Sequence, residues 1–258
     1  MSEAKILIQT EGAVARIRLN APEQRNALTY DMVRELIAAL RRADDEAPVR
    51  AVLLEAAGDH FSAGGNLREF AAEVTEPALQ HWESGGLWEE LFSLVPQMKK
   101  PVVGAVQGYA LAGGCGLAAL CDLAVAADDA QFGMTEIRIG LFPLLVLPAM
   151  RRAVGDKKAL ELALTGVIFD AAEALRIGLV NRVVPRAELE AQALALAQEL
   201  AAKSPAALQL GKRLFWETAG MTYAQALAFA RSLRVSYMLS DDLQEGIAAF
   251  LEKRQPNW

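Results

Sequence analysis

The order of strand-like and helix-like patterns along the chain constrains its fold more than any other feature. Up to about residue 140, short apolar runs typical of buried strands alternate with segments whose apolar residues recur at helical spacing. From Leu147 onward the pattern is almost entirely helical, apart from a short strand predicted at residues 180–184. We therefore expect an α/β fold with a strand-bearing core over residues 1–195 and a helical C-terminal region over residues 196–258.

The individual elements follow from the residue types. Alternating residues at 5–9 and 14–19 predict a hairpin, and the apolar spacing of 29–44 predicts a helix. Buried strands are predicted at 49–55, 102–106 and 123–127. Helices are predicted in the C-terminal part at 157–165, 171–176, 188–203, 206–218, 223–239 and 242–253.

The composition argues against several classes of function. The chain has 258 residues, enough to bury a substantial core, and its formal net charge of −6 argues against nucleic acid as the main partner. No segment reaches the ~18–20 uninterrupted apolar residues that a bilayer span needs. The N-terminus lacks the pattern of a secretory signal. We expect a cytoplasmic protein with no nucleic-acid or membrane partner.

Two cysteines and two histidines leave little material for disulfides or a metal site. Cys115 and Cys121 would project about 120° apart on a helix, so they do not form a pair of ligands. We interpret both as reduced, buried thiols and expect no metal. His60 is expected to be an exposed loop residue, and Ser62 lacks the glycine context of a serine nucleophile.

Two glycine-rich turns each follow a predicted strand. The first contains Gly64-Gly65, and the second ends with Gly113-Gly114 where a helix is predicted to begin. Glycine allows a ligand to approach the backbone closely, and N–H groups at the start of a helix have no partner within it. Two such donors that converge would form an oxyanion hole for a thioester oxygen. Either pair alone is more often a simple tight turn.

Glu136 lies in an otherwise apolar segment. Its neighbours Phe132, Met134 and Ile137 predict partial burial. Burial raises the pKa of a carboxyl group towards neutrality, where the group can accept a proton. Taken alone, a glutamate of this kind is more often a helix cap or a salt-bridge partner.

Together these segments resemble the crotonase (enoyl-CoA hydratase/isomerase) superfamily over nearly the whole chain. The most specific segments are KPVVGAVQGYALAGGCGL at 100–117 and FSAGGNL at 61–67, with further similarity at 20–28, 171–181 and 245–254. The resemblance implies a crotonase-like spiral of ββα units that builds two roughly perpendicular sheets. It also implies a C-terminal helical trimerisation region, with trimers often paired into hexamers.

The resemblance implies roles for particular residues. Gly65 and Gly113 would be the oxyanion-hole donors, with Glu136 as the third catalytic residue. The residues that would bind the substrate are Arg25, near the phosphates of coenzyme A, and Ala63, Asn66, Leu67, Phe250 and Lys253. The last two match positions that reach coenzyme A, often from a neighbouring helix. Coenzyme A is part of the substrate, so no separate cofactor is expected.

One position departs from the family pattern. Family hydratases carry one glutamate in the helix after the second glycine turn and another on the later loop, but the first position here is Gly116. Glu89 or Glu90 is a candidate for a replacement acid. The aliphatic segment 140–148 predicts either a more apolar acyl pocket or a repacked core.

These observations predict an enzyme that moves a proton alpha to the carbonyl of an acyl-CoA thioester. Water addition uses two acids, whereas double-bond migration needs a single base, so the glycine at position 116 favours isomerisation over hydration. A family hydrolase or C–C lyase, and a CoA-ester-binding protein without turnover, are the alternatives. The expected assembly is a homotrimer or a dimer of trimers.

Overall fold

The structure is a computed structural model and describes residues 4–258. Its strands are numbered in chain order: β1 (Ile6–Glu11), β2 (Val14–Leu19), β3 (Ala51–Ala56), β4 (Val102–Val106), β5 (Tyr109–Leu111), β6 (Leu123–Ala127), β7 (Gln131–Gly133), β8 (Phe169–Asp170) and β9 (Arg182–Val184). They form a six-stranded sheet in the order β1-β2-β3-β4-β6-β9 and a three-stranded sheet in the order β5-β7-β8.

Most of the large sheet is parallel. β1 and β2 form the predicted antiparallel hairpin, and β2, β3, β4, β6 and β9 then pair in parallel. In the small sheet, β5 pairs with β7 in parallel and β7 with β8 antiparallel. Parallel strands are covered on both faces, which explains why β3 and β4 read as continuous apolar runs rather than as alternating ones.

The helices are also numbered in chain order. They are α1 (Tyr30–Asp45), α2 (Leu67–Glu73), α3 (Ala78–Gln97), α4 (Gly113–Leu120), α5 (Leu147–Val154), α6 (Asp156–Thr165), α7 (Ala171–Arg176), α8 (Leu189–Ala201), α9 (Pro205–Glu217), α10 (Tyr223–Met238) and α11 (Asp241–Glu252). A 3₁₀ turn at Thr135–Ile139 follows β7 and carries Glu136.

The two faces of the large sheet are covered by different helices. On one face, Leu189, Ala193 and Leu196 of α8 pack against the strand residues Leu53 and Val103. On the other face, α1, α3 and α4 contribute to the larger core cluster. The strands that lead into the two glycine turns are therefore fixed on both sides by buried side chains.

The last three helices bury very few residues. α9 and α10 have no buried residue and α11 has only Ala249. The predicted boundary at residue 195 falls within α8, which packs on the sheet, and the division into two regions stays a prediction. Within residues 4–258, no helix has both the length and the apolarity needed to cross a bilayer.

Candidate active site

The two glycine turns lie against each other. A Cβ atom built on Gly64 would be 3.3 Å from the backbone nitrogen of Gly113, and one built on Gly113 would be 3.7 Å from that of Gly65. Backbone hydrogen bonds join the turns through Ser62, whose nitrogen donates to the carbonyl of Tyr109 at 2.8 Å. The structure therefore brings the predicted pair, Gly65 and Gly113, together.

The Gly113 N–H is free because of its place at the start of α4. The first bond of this helix runs from the nitrogen of Gly116 to the carbonyl of Ala112, at 3.1 Å, so the Gly113 donor has no acceptor in the described part of the chain. Ala112 has φ 48° and ψ −122°, a conformation that residues other than glycine rarely adopt. Such backbone strain costs about 1–3 kcal/mol and is concentrated at functional sites.

The Gly65 N–H is left free by a short bridge between Gly65 and Leu28. In that bridge Leu28 N donates to Gly64 O at 2.8 Å, and Asn66 N donates to Leu28 O at 2.9 Å. The Gly64 N–H donates to Ser62 Oγ at 3.1 Å. Over residues 4–258, the intervening Gly65 N–H finds no acceptor.

Glu136 is a buried carboxyl group with an unused oxygen. The residue is 9% exposed, and its Oε2 atom has no hydrogen-bond partner within the described residues. Burial raises the pKa of this carboxyl group above its ordinary value, although a hydrogen bond to its own backbone acts in the opposite direction. A free oxygen and a raised pKa suit a group that accepts a proton near neutral pH.

Glu136 lies close to the second glycine turn. Gly133, at the end of β7, accepts a hydrogen bond from Ala112 N at 2.8 Å, so the segment before Glu136 is tied to the residue before Gly113. Burial raises the pKa of the Cys115 thiol to about 12, and the negative charge of Glu136 contributes to this shift. The carboxyl group is therefore near Cys115, in the first turn of α4.

Gly116 is packed against hydrocarbon. A Cβ atom on Gly116 would lie 2.6 Å from Phe92 Cε1 and 3.1 Å from Val146 Cγ2. One turn earlier in each helix, Trp88 Cζ3 would lie 3.5 Å from a Cβ on Gly113. The face of α3 that carries Trp88 and Phe92 thus meets the face of α4 that carries Gly113 and Gly116. No room is left at position 116 for a carboxylate.

Neither Glu89 nor Glu90 replaces the missing acid. Glu89 is exposed, and Glu90 forms an ion pair with Arg41 at 2.9 Å on the surface. Helical spacing buries Trp88 and Leu91 of α3 and turns the residues between them outward. The suggestion that one of these glutamates enters the pocket is therefore wrong.

Four of the predicted substrate-binding residues lie together around the first glycine turn. Ala63 N donates to Arg25 O at 2.9 Å. The Asn66 side chain caps α2 by accepting from Arg68 N at 3.0 Å. Leu67, the first residue of α2, is 58% exposed. A ligand on this surface would run beside the turn that carries the first free N–H.

His60 is half-buried and packs against Tyr109, so it is not an exposed loop histidine. Its ring stacks on Tyr109, with centroids 4.4 Å apart and planes 6° apart, and its Nδ1 accepts from Tyr109 N at 3.1 Å. The Arg25 guanidinium lies over the same Tyr109 ring, 5.9 Å from its centroid. Our expectation for His60 was wrong because β5 brings Tyr109 next to a turn that is distant in sequence.

The remaining predicted substrate-binding residues are on α11. Phe250 is 83% exposed, and Lys253 ends the helix with φ 55°. Helix α11 packs on α9. In the described chain, no side-chain hydrogen bond or ion pair links Phe250 or Lys253 to the glycine turns. These two positions are not joined to the other site residues within one chain.

Three aromatic residues that the sequence analysis did not single out, Phe70, Trp88 and Phe92, pack against glycines of the candidate site. Phe70 Cε2 lies 2.3 Å from the position of a Cβ on Gly65, so its ring packs directly on that glycine. The rings of Phe70 and Trp88 are nearly parallel, with centroids 6.4 Å apart. The spacing of Trp88 and Phe92, four residues apart, was the available signal, because such residues share one face of a helix.

Other polar groups nearby have structural partners. The Ser62 hydroxyl donates to Asn26 O at 2.8 Å while it accepts from Gly64 N, which is consistent with a residue that holds the turn. Cys115 and Cys121 are free thiols, the first buried and the second half-buried. Over residues 4–258, no three His, Cys, Asp or Glu side chains group closely enough to hold a metal ion.

Comparison with known proteins identifies the family. The chain matches the family model described as enoyl-CoA hydratase/isomerase over residues 9–258. It belongs to this family. Over 254 residues it is 41% identical to a Thermus thermophilus protein whose name includes the words enoyl-CoA hydratase, which covers 98% of this chain and 100% of that protein.

Solved structures of the enoyl-CoA hydratase/isomerase family share the fold. The enoyl-CoA hydratase of Mycobacterium smegmatis matches with a TM-score of 0.92 and 36% identity over 99% of each chain. Human enoyl Coenzyme A hydratase domain-containing protein 3 matches with a TM-score of 0.93 and 32% identity, over 99% of this chain and 100% of that one. The predicted crotonase fold and family resemblance are confirmed.

Proposed function

We propose that this member of the enoyl-CoA hydratase/isomerase family moves a proton next to the thioester carbonyl of an enoyl-CoA, with Glu136 as the base. The observation that carries the proposal is the buried, unpaired oxygen of Glu136 on a segment tied to the second glycine turn, which lies against the first one. The thioester oxygen would accept hydrogen bonds from Gly65 N and Gly113 N. These donors stabilise the negative charge that develops there.

The reaction follows from these roles. Ionised Glu136 takes a proton from C2, and the electron pair of the broken C–H bond moves towards the thioester oxygen to give an enolate. In a 3-enoyl-CoA the enolate is conjugated with the double bond, so the same carboxyl group can return the proton to C4 and leave a 2-enoyl-CoA. Because the pKa of Glu136 is raised, its protonated form can hold the proton between removal from C2 and delivery to C4.

Double-bond migration is the reaction that we propose first. Phe92 and Val146 fill the space beside Gly116, and Glu89 and Glu90 face away, which supports a reaction that uses Glu136 as its single acid–base group. Hydration is the second candidate because the names of the relatives contain the word hydratase. It would need a water molecule positioned without a second glutamate.

Binding of coenzyme A would use both regions of the protein. Arg25, Ala63, Asn66 and Leu67 would contact the coenzyme A part of the substrate along the first glycine turn. Phe250 and Lys253 would reach it from a neighbouring copy, because the structure does not join them to the turn within one chain. Coenzyme A then enters and leaves as part of the substrate, and no separate cofactor is needed.

The same arrangement supports a homotrimer or a dimer of trimers. Helices α9 to α11 carry exposed apolar side chains, and a second copy would cover them. These side chains are Phe215, Leu227, Val235, Leu239, Phe250 and Leu251. Light scattering is expected to give three or six times the chain mass of 27.8 kDa. A monomer at micromolar concentration would contradict this assembly.

Steady-state assays with 2-enoyl- and 3-enoyl-CoA test the reaction. We expect the wild type to convert 3-enoyl-CoA to the conjugated product, and Glu136→Gln to lose about 10²–10⁴-fold in kcat. The exposed neighbour Glu89→Gln is the matched control and should keep wild-type activity. Full activity in Glu136→Gln would remove Glu136 from its role. Release of free coenzyme A would favour a hydrolase, and tight binding without product a binding protein.

A further inference from the structure

We infer that Glu73 is a positioning residue for the Gly65 N–H, because its carboxylate ties the end of α2 to both α1 and α3. The inference rests on the proposed role of Gly65 as an oxyanion donor. Glu73 is the last residue of α2, the helix that begins two residues after Gly65. Its side chain is 13% exposed.

Three donors from two neighbouring helices converge on this carboxylate. The Tyr30 hydroxyl, at the start of α1, donates to Oε2, and the Ser84 hydroxyl of α3 donates to Oε1. His81 of α3 lies with its Nδ1 3.4 Å from the same Oε1 atom. A carboxylate that accepts several hydrogen bonds in one place fixes the elements that supply them.

The position of α2 controls the surroundings of Gly65. Asn66 caps the helix directly after Gly65, and Phe70, one turn into the helix, packs on the Gly65 backbone. The Phe70 ring is in turn held between Trp88 and Tyr30, each with its centroid 6.4 Å away. A shift at the C-terminal end of α2 would therefore reach Gly65 through the Phe70 ring.

A second set of contacts joins the same segments. Leu28 bridges to Gly65, and two residues later Tyr30 N donates to Glu69 Oε2 at 2.7 Å. Glu69 and Glu73 lie four residues apart on one face of α2, and both contact Tyr30. Residues 28–30, where α1 begins, are thus held at Gly65, at Glu69 and at Glu73. Removing the Glu73 contact would free the C-terminal end of α2 and leave the contacts at Gly65 and Glu69 in place.

The ionised form of Glu73 is the one that holds these contacts. Burial acts to raise the pKa of this carboxyl group, but the hydrogen bonds from Ser84 and Tyr30 outweigh it and leave the pKa below its ordinary value. The charged and titratable groups that face it are Tyr30, His81 and Glu69. At neutral pH the carboxylate is therefore available as an acceptor for all three donors.

The test compares Glu73→Gln and Tyr30→Phe with Glu76→Gln, an exposed glutamate just beyond α2. A misplacement of about 1 Å can cost 10²-fold in rate, so we expect Glu73→Gln and Tyr30→Phe to lose about 10- to 100-fold in kcat. The double variant should lose little more than either single one, because both remove the same contact. Glu76→Gln should keep wild-type kcat.

A spectroscopic readout separates positioning from a general loss of structure. Acetoacetyl-CoA has an acidic C2, and the ultraviolet absorbance of its enolate reports how well the site stabilises negative charge on the thioester oxygen. We expect less bound enolate in Glu73→Gln and Tyr30→Phe, with wild-type affinity for free coenzyme A and a nearly unchanged Tm. Activity that falls only in proportion to a lower Tm would overturn the positioning role.

Failure of this inference can be told apart from failure of the proposed function. If Glu73→Gln and Tyr30→Phe keep wild-type kcat and enolate absorbance while Glu136→Gln loses activity, Glu73 has no positioning role. If the wild type forms no enolate and Glu136→Gln retains full activity, the proposed function is wrong and the inference is overturned with it.

Discussion

Positions 116 and 136 are both buried, but one has no side chain and the other carries a carboxyl group. At position 116 there is no side chain, and Phe92 and Val146 pack against the glycine. At position 136 a carboxyl group is buried with one oxygen unpaired. In the proposed reaction one buried group can carry a proton, and apolar packing closes the space in which a second acid could stand.

The two positions also differ in what burial does to stability. Apolar packing beside Gly116 stabilises the fold, because close contacts between hydrocarbon groups are favourable. Burial of Glu136 opposes stability when the group is ionised, because a charge without a partner is poorly solvated inside the protein. A destabilising group that persists at such a position is typical of functional sites.

Among variants at positions other than Glu136, the largest loss of kcat should come from the two glycine turns. A Cβ on Gly64 would lie 2.7 Å from Ala112 Cβ, and φ is +96°, so Gly64→Ala would push the two glycine turns apart. Removing one oxyanion donor costs about 10²–10³-fold in kcat, and we expect a loss of that size for Gly64→Ala.

Gly12→Ala is the matched control for this variant. Gly12 also has positive φ but has no other atom within 4 Å of a Cβ position, and it lies in the hairpin between β1 and β2. It should lower stability by about 1–2 kcal/mol through backbone strain and leave kcat unchanged. Equal losses of kcat in both variants would mean that the glycine turns matter only for folding.

A smaller effect tests the closed space at position 116. Gly116→Ala would place a methyl group 2.6 Å from Phe92, and such overpacking costs about 1–3 kcal/mol of the free energy of unfolding. Gly211→Ala in α9 meets no atom within 4 Å and should stabilise by up to about 1 kcal/mol, as alanine does in a helix. Urea denaturation of both variants measures the difference.

The double variant Gly116→Glu/Phe92→Ala tests whether the missing acid at position 116 limits hydration. Removing the ring makes room for a carboxylate, so the double variant should be more stable than Gly116→Glu alone. It should also add water to 2-enoyl-CoA faster than the wild type if the missing acid is what limits hydration. Unchanged hydration would show that position 116 does not decide between the two reactions.

The pH dependence of stability tests position 136. The pKa of Glu136 is raised in the folded state, so its contribution to stability is present below its ordinary value of 4.5 and is lost as pH rises through the folded-state pKa. Glu136→Gln has no ionisable group at this position, so it does not lose stability as the pH rises. Its free energy of unfolding should therefore exceed that of the wild type at pH 7.5, and the advantage should shrink towards pH 4. An advantage that is independent of pH would contradict burial of an ionised group.

The smallest effect should come from the glutamate that faces away. Glu90 is paired with Arg41 on the surface, and such a pair contributes about 0–1 kcal/mol. Glu90→Gln should leave kcat and the pH profile of the enzyme unchanged. A loss of activity comparable to that of Glu136→Gln would mean that α3 rearranges and that Glu90 does act at the site.

The glycine turns and Glu136 could be predicted because each depends on a short stretch of sequence. The free N–H of Gly113 follows from its place at the start of a predicted helix, and burial of Glu136 follows from its apolar neighbours. The long helices α8 to α11 could be predicted for the same reason, since their apolar spacing is visible over several turns.

The aromatic side chains that pack against Gly113 and Gly116 could not be predicted in this way. Packing of Trp88 and Phe92 against α4 depends on how two helices meet, and spacing within one helix does not determine its partner. Strands β5, β7 and β8 have only two or three residues each, too few for a periodic pattern. The packing of the His60 ring depends on Tyr109, which is distant in sequence.

The central claim is that the carboxyl group of Glu136 carries the migrating proton, and a labelled substrate tests it most directly. With 3-enoyl-CoA deuterated at C2, we predict that the wild type forms 2-enoyl-CoA with part of the deuterium at C4, as measured by mass spectrometry and NMR. Glu136→Gln should form this product about 10²–10⁴-fold more slowly. Product formed by Glu136→Gln at the wild-type rate, with no deuterium at C4 in either enzyme, would contradict the account.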